Sequence, residues 1–177
     1  MSKQNWIIDT VHSDITFRVK HMMITTVSGT FDRFSGTMTN KSADFTDAEI
    51  TFEADADSLN TRNEQRDGHL KGEEFFNTAK FPKIGFASTA MKKISGNSYE
   101  LHGSFTMTGR TQPIVLKAEF LGKVVDPWGQ TRVGFELSGS IMRSLFGMMW
   151  NANTEDGGVV VSEEVRLSMN IQMLLQA

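Results

Sequence analysis

The stretch VRLSMNIQM, residues 165–173, puts Val165, Leu167, Met169, Ile171 and Met173 in one phase and Arg166, Ser168, Asn170 and Gln172 in the other. Successive side chains of a strand point to opposite faces, so this pattern predicts a strand with one buried and one solvated side. The same period recurs along the chain. It is carried by Ile15, Phe17, Val19, His21 and Met23; by Ile50, Phe52, Ala54 and Ala56; and by Ile84, Phe86 and Ser88. It continues in Tyr99, Leu101, Gly103, Phe105 and Met107, in Ile114, Leu116, Ala118 and Phe120, and in Val133, Phe135, Leu137, Gly139 and Ile141. Val27, Gly29 and Phe31 share a phase that Phe34, Gly36 and Met38 do not, which predicts a bulge or tight turn near Asp32-Arg33. Turn residues separate the runs at Asn40-Lys41-Ser42, Ser95-Gly96-Asn97, Thr108-Gly109-Arg110, Asp126-Pro127-Trp128-Gly129 and Glu155-Asp156-Gly157-Gly158. About eight strands with one apolar face each predict an all-β domain, an antiparallel sheet closed into a barrel or stacked as a sandwich. No repeat or linker divides the 177 residues, so one domain, 1–177, is expected.

Composition narrows the function classes. A net charge of −3 with singly scattered basic residues argues against nucleic-acid binding. The absence of cysteine removes disulfides, thiolate nucleophiles and zinc–cysteine sites. The N-terminal MSKQNWIIDT has no apolar core of a signal peptide and no run is long enough to span a membrane, so a cytoplasmic protein without membrane insertion is expected. Thirteen Phe and 11 Met stand against one Tyr and three Pro. Phe supplies bulk without a polar handle and Met adapts to irregular shapes, as suits either a tightly filled core or a wall around a flexible apolar guest.

One segment breaks the alternation, SLNTRNEQRDGHLKGEEFFNTAKFP at 58–82. Thr61 followed by Glu64 matches a capping box, predicting a short helical insert within about residues 61–76, weakened by Gly68 and Gly72 and stopped by Pro82. Arg66, His69 and Leu70 share one side at helical spacing, so Arg66 and His69 would stand at the mouth of a barrel that Leu70 faces.

Catalytic and metal motifs are weak. His12-Ser13-Asp14 holds the residue types of a hydrolytic triad, but neighbours on a strand point apart. His12, His21, His69 and His102 have no metal-ligand spacing, and no phosphate-binding or dinucleotide fingerprint occurs. No catalytic residue and no metal ligand is assigned. His21 falls on an apolar face, as a core histidine or a polar anchor for a buried ligand. Arg143, in GSIMRSLFGMMWN, sits in phase with apolar neighbours. A lone buried charge is very costly, so Arg143 is expected to meet an internal carboxylate such as Asp9 or Asp67, or an anionic ligand group.

Several stretches together resemble the YceI-like family of lipocalin-like, polyisoprenoid-binding proteins: IDTVHSDITFRVKHM (8–22), GTFDRFSG (29–36), the 58–89 segment, GSFTMTGRTQPIVL (103–116), DPWGQTRVGFE (126–136) and IMRSLFG (141–147). The resemblance implies an eight-stranded antiparallel lipocalin-like barrel with its helical insert over one end. It also implies a long apolar or amphipathic ligand in the cavity, such as a polyprenyl chain, an isoprenoid quinone or a fatty-acid derivative. A carrier or scavenger without enzymatic activity follows, and a homodimer. The wall would comprise Phe17, Val19, His21, Phe31, Phe52, Phe86, Leu101, Phe105, Phe135, Leu137, Ile141, Leu145, Met148, Trp150 and Met169, with Arg143, Arg66 and His69 at the polar head or rim. No cofactor is expected beyond the bound lipid. At about 0.8 kcal/mol per methylene, one five-carbon isoprene unit contributes roughly 3–4 kcal/mol. A lipocalin-like enzyme acting on an isoprenoid or quinone-like substrate is the alternative, with His21 and Arg143 as its polar groups. The chain departs from the family at Met142 and Leu145, where the pattern reads Asn and Asp, so a carboxylate that could pair with Arg143 is missing.

Overall fold

A computed structural model describes residues 2–155 and 157–177. The strands run in chain order as β1 (Gln4–Ile8), β2 (Asp14–His21), β3 (Thr25–Phe31), β4 (Phe34–Asn40), β5 (Glu49–Asp55), β6 (Leu59–Asn60), β7 (Lys83–Ser95), β8 (Ser98–Met107), β9 (Arg110–Val125), β10 (Thr131–Met142) and β11 (Val161–Leu175). All pairings between them are antiparallel. β1 and β2 lie in line along one edge of β11, Ile8 opposite Met173 and Asp14 opposite Asn170. In the same way β4 continues β3, and β6 continues β5 through a 3-10 turn at Ala56–Ser58. Three interrupted staves and five continuous ones therefore make an up-and-down meander of eight, closed where β1 pairs with β11. Closure leaves no long open sheet edge, and it encloses an interior.

The phase change between Phe31 and Phe34 has a local cause. At the kink, Ser58 O accepts from Asp32 N at 3.2 Å, Ser58 Oγ from Arg33 N at 3.0 Å, and Arg33 O from Asp55 N at 2.9 Å. Two residues thus leave the ladder, and both flanking Phe side chains point inward.

The helix is shorter than the capping box implied. α1 spans Glu64–Leu70, and its cap is Asn63, whose side chain accepts from Arg66 N at 2.9 Å. Thr61 is buried and donates its own N–H to Asp67 Oδ1 at 2.9 Å. Its hydroxyl points at the same carboxylate and so cannot serve as the cap. After α1 the chain turns through residues 71–81 before β7. Of the Glu155–Gly158 turn, Asp156 lies outside the described residues; Thr154 N donates to Gly158 O at 2.9 Å.

Two glycines let aromatic rings lie flat on the neighbouring strand. A Cβ on Gly29 would sit 2.3 Å from Phe17 Cζ, and one on Gly103 would sit 2.3 Å from Phe86 Cζ. These positions on the inward faces of β3 and β8 are thereby reserved for ring atoms from β2 and β7.

Candidate ligand-binding cavity

The barrel interior is plugged at both ends and incompletely filled between. At the end bearing the chain termini, Phe45 from the β4–β5 loop packs on Phe120 at 5.4 Å and Phe135 at 5.5 Å, beside Trp6. This plug is pinned by hydrogen bonds: Trp6 Nε1 to Asn40 Oδ1 at 2.8 Å, Asn40 Nδ2 to Ser42 O at 2.8 Å, and Tyr99 Oη to Asp44 O at 2.7 Å. At the other end the α1 segment contributes Phe75 and Phe76, and the segment after β10 contributes Phe146 and Met148. Phe76 sits 5.6 Å from Phe31, and Phe146 sits 5.4 Å from Phe105.

Between the plugs lies a cavity of about 150 Å³. Its wall takes residues from the inward face of every stave, and among the described residues none that lines it is ionisable. Six of the lining residues are methionines: Met38, Met91, Met107, Met148, Met169 and Met173. The only lining hydroxyls are Thr37 and Thr51, which are exposed and bond each other at 2.7 Å. An apolar cavity near 150 Å³ stays dry and admits a guest of about six carbons.

Eleven of the fifteen wall residues expected from the sequence line this space: Phe17, Phe31, Phe52, Phe86, Leu101, Phe105, Phe135, Leu137, Ile141, Met148 and Met169. Four do not. Val19 and His21 share the phase of Phe17 but lie two and four residues further along β2, beyond the cavity, and are only half-buried. Leu145 is 52% exposed, because β10 ends at Met142 and a 3-10 turn over Arg143–Phe146 rotates the chain, sending Phe146 inward instead. Gly147 then closes that turn at φ +80°, a left-handed conformation that favours glycine. Trp150 stands at the rim outside the cavity, with its ring 5.0 Å from His69 and 5.5 Å from Phe75. The lining also includes Ile8, Ile15, Met38, Ile50, Met107 and Met173, which the alternation could have nominated, and Phe76, whose loop position gave no periodic signal.

The three expected head-group residues are all engaged elsewhere. Arg143 is only 3% exposed, yet among the described residues it meets no carboxylate. Nε donates to Ser162 O at 2.9 Å, Nη1 to Met148 O at 2.8 Å and Trp150 O at 2.7 Å, and Nη2 to Val161 O at 3.3 Å. Burial draws its pKa below the ordinary arginine value, with Glu163 opposing. Asp9 and Asp67, the carboxylates proposed for it, serve other partners. Asp9 meets Arg132 at 2.6 Å and His12 at 2.8 Å, and Asp67 accepts from Thr61. Arg66 donates to Thr61 Oγ1 at 2.8 Å and to Thr61 O at 2.7 Å, and His69 meets Glu74 at 2.7 Å. Ser13 of the apparent triad bonds the Gln172 backbone rather than a histidine.

A family model for the YceI-like domain matches residues 6–173. Protein YceI from Salmonella newport is 37% identical over 169 residues, covering 93% of this chain and 83% of the relative. The chain belongs to the YceI-like family. Solved structures agree in fold. The Campylobacter jejuni YceI protein superposes with a TM-score of 0.76 at 26% identity, over 89% of this chain and 90% of its own. Burkholderia cenocepacia BcnA gives 0.79 at 19% identity, over 93% and 98%. A polyisoprenoid binding domain from Saccharophagus degradans gives 0.71 at 15% identity, over 97% and 98%.

Proposed function

We propose that this protein binds a long apolar chain of the polyisoprenoid type inside its barrel, as a carrier or scavenger rather than an enzyme. The observation that carries the reading is the cavity of about 150 Å³ whose described lining is apolar apart from Thr37 and Thr51. A guest of about six carbons fits as the barrel stands, roughly one isoprene unit. A longer chain needs the wall to move, and six lining methionines supply it, since an unbranched thioether changes rotamer at small cost. The description of the Saccharophagus degradans neighbour as a polyisoprenoid binding domain supports the same ligand class. The binding reading is favoured over catalysis because the described lining holds no ionisable side chain and its two hydroxyls, Thr37 and Thr51, bond each other.

The test is to purify the protein from its native host, extract it with organic solvent and identify the extract by mass spectrometry. A prenyl or other long-chain lipid at near-stoichiometric amount is expected. A clean extract together with no retention of a polyprenyl probe refutes the reading. We carry a homodimer in the same proposal, supported by β9, whose Leu121–Val125 run past the start of β8 with Leu121, Val124 and Val125 exposed. Light scattering should then report twice 19.8 kDa.

A further inference from the structure

The turn joining β2 to β3 carries Met22, Met23 and Ile24, all exposed, Ile24 at 76%. Ile24 N donates to His21 O at 3.2 Å, and Met22 and Met23 stand at φ +50° and +60°. Two successive left-handed residues inside such a bond make a type I′ turn, which Asn and Gly adopt with far less strain than Met. A hairpin selected for stability alone would read Asn-Gly here. None of the three side chains lines the cavity, so the apolar tip is not part of the barrel wall. The turn also stands clear of the sheet, since His21 pairs with Val161, whereas β10 ends where Met142 faces Glu164. Its base is tied to the loop after β10: Met22 N donates to Val160 O at 2.8 Å, and Val160 N to Ala152 O at 3.0 Å. That loop exposes Met149, and the 3-10 turn before it exposes Leu145. Three apolar tips therefore surround the end of the barrel that bears the helical insert.

Free cations stand among these tips. Lys20 is exposed two residues before Met22, and Arg62 is exposed where the chain enters α1. Arg110 lies exposed against Gly147, whose Cβ, if present, would sit 3.1 Å from Arg110 Cζ. None of the three meets a carboxylate among the described residues. Arg66 adds a guanidinium with only two of its five donors used. Glu64 and Glu73 of the insert oppose them, while Asp67, Glu74 and Glu163 are taken by Thr61, His69 and Ser144. The chain as a whole carries −3, but charges more than about 8 Å away are screened at physiological salt, so a surface laid on this end meets the local cations. Exposed apolar tips flanked by cations are what an anionic bilayer receives. The tips sit on three separate turns with polar groups between them, which a fluid surface accommodates and a rigid protein partner would have to match in shape. We infer that this end of the barrel docks on an anionic lipid bilayer, with Met22, Met23 and Ile24 immersed at the head-group boundary and Lys20, Arg62 and Arg110 facing the lipid phosphates. The inference concerns where the protein meets lipid rather than what fills the cavity, so it stands or falls separately from the ligand reading.

The test is co-sedimentation of the full chain with vesicles of phosphatidylcholine containing about 30% phosphatidylglycerol, and with vesicles of phosphatidylcholine alone. Binding to the anionic vesicles is expected, weaker on phosphatidylcholine, with Lys20→Gln, Arg62→Gln and Arg110→Gln each costing about fivefold in affinity. The decisive variant combines Met22→Asn, Met23→Gly and Ile24→Thr, which gives the turn residues that its backbone prefers. Its affinity for the anionic vesicles should fall by about tenfold or more while Tm holds or rises. Anionic-vesicle affinity within about threefold of the parent's, less than 1 kcal/mol, overturns the docking. A lower Tm accompanying the loss of binding overturns it as well, because the tip is then a packing element. Equal binding of the parent to both compositions removes the role given to the cations and refutes the anionic surface. If neither form sediments and light scattering shows the variant losing a partner copy, the tip is an interface between copies. A parent that fails to sediment with either composition, yet retains a polyprenyl probe, ends the docking and leaves the cavity reading standing.

Discussion

Replacing Arg143 with methionine keeps the unbranched apolar stem as far as the Nε position and removes the guanidinium. In the native protein that group holds the carbonyls of Met148, Trp150, Val161 and Ser162, so it fastens the segment after β10 to the start of β11. Each charge-assisted bond contributes about 1.5–3 kcal/mol net, and three of the four lie at 2.9 Å or less. Against their sum stands the desolvation of a cation that is 3% exposed, several kcal/mol. The difference leaves a destabilisation of about 3 kcal/mol, because the orphaned carbonyls must also find water. For a chain of this size that corresponds to roughly 6–12 °C in Tm. Calorimetry of the ligand-free variant measures it, and hydrogen exchange over 148–162 should rise before the barrel unfolds. Arg143→Lys should recover little, since one ammonium cannot reach four diverging carbonyls. A variant whose ligand-free Tm stays within about 1 °C of the parent's, while its affinity for anionic amphiphiles falls, would refute the clamp and restore Arg143 as a head-group anchor.

Gly103→Ala puts a Cβ 2.3 Å from Phe86 Cζ and 2.6 Å from Ala87 O, so it should destabilise by about 1–3 kcal/mol in urea unfolding; an unchanged midpoint would mean that the ring is not seated there. Leu145→Asp restores the carboxylate of the family pattern at a 52% exposed site whose arginine neighbour is already satisfied, so stability should move by no more than about 0.5 kcal/mol, and a large gain would show an Arg143 partner that the carbonyls do not supply. Burial raises the pKa of Asp9, but hydrogen bonds from His12, Arg132 and two backbone N–H groups outweigh it and hold the carboxyl at about 2, below the ordinary 3.8. A depressed native value means stability present above 3.8 and lost as pH falls toward 2, so Asp9→Asn should flatten the acid limb of the stability profile in that window. An acid limb identical to the parent's would place the titration on other carboxyls.

Much of the barrel was legible in side-chain alternation, because a half-buried strand must repeat every two residues. The Phe31-to-Phe34 phase change even located the kink at Asp32-Arg33, where the structure bonds both residues to Ser58. The reading failed where a period was extended past its element. Leu145 shares the phase of β10 although the strand stops at Met142, and Val19 and His21 share the phase of Phe17 although the cavity ends before them. The spacing of Thr61 to Glu64 fits a cap, but Asp67 engages the Thr61 hydroxyl and leaves the role to Asn63. Phe76 reached the cavity from a turn, where no period exists to mark it.

By itself the sequence determined that the chain is an antiparallel sheet with a Phe- and Met-rich interior, since alternation and composition are local properties that survive any particular folding of the loops. It also determined that Arg143 must be satisfied, because an unpaired buried guanidinium is too costly to persist. What satisfies it was decided by tertiary structure alone. Backbone carbonyls are common to every residue and leave no trace in a sequence, and only the folded loop gathers four of them around one guanidinium. The same holds for the cavity, which exists because the rings that plug the barrel come from β1, from loops and from segments distant along the chain, and leave the middle unfilled.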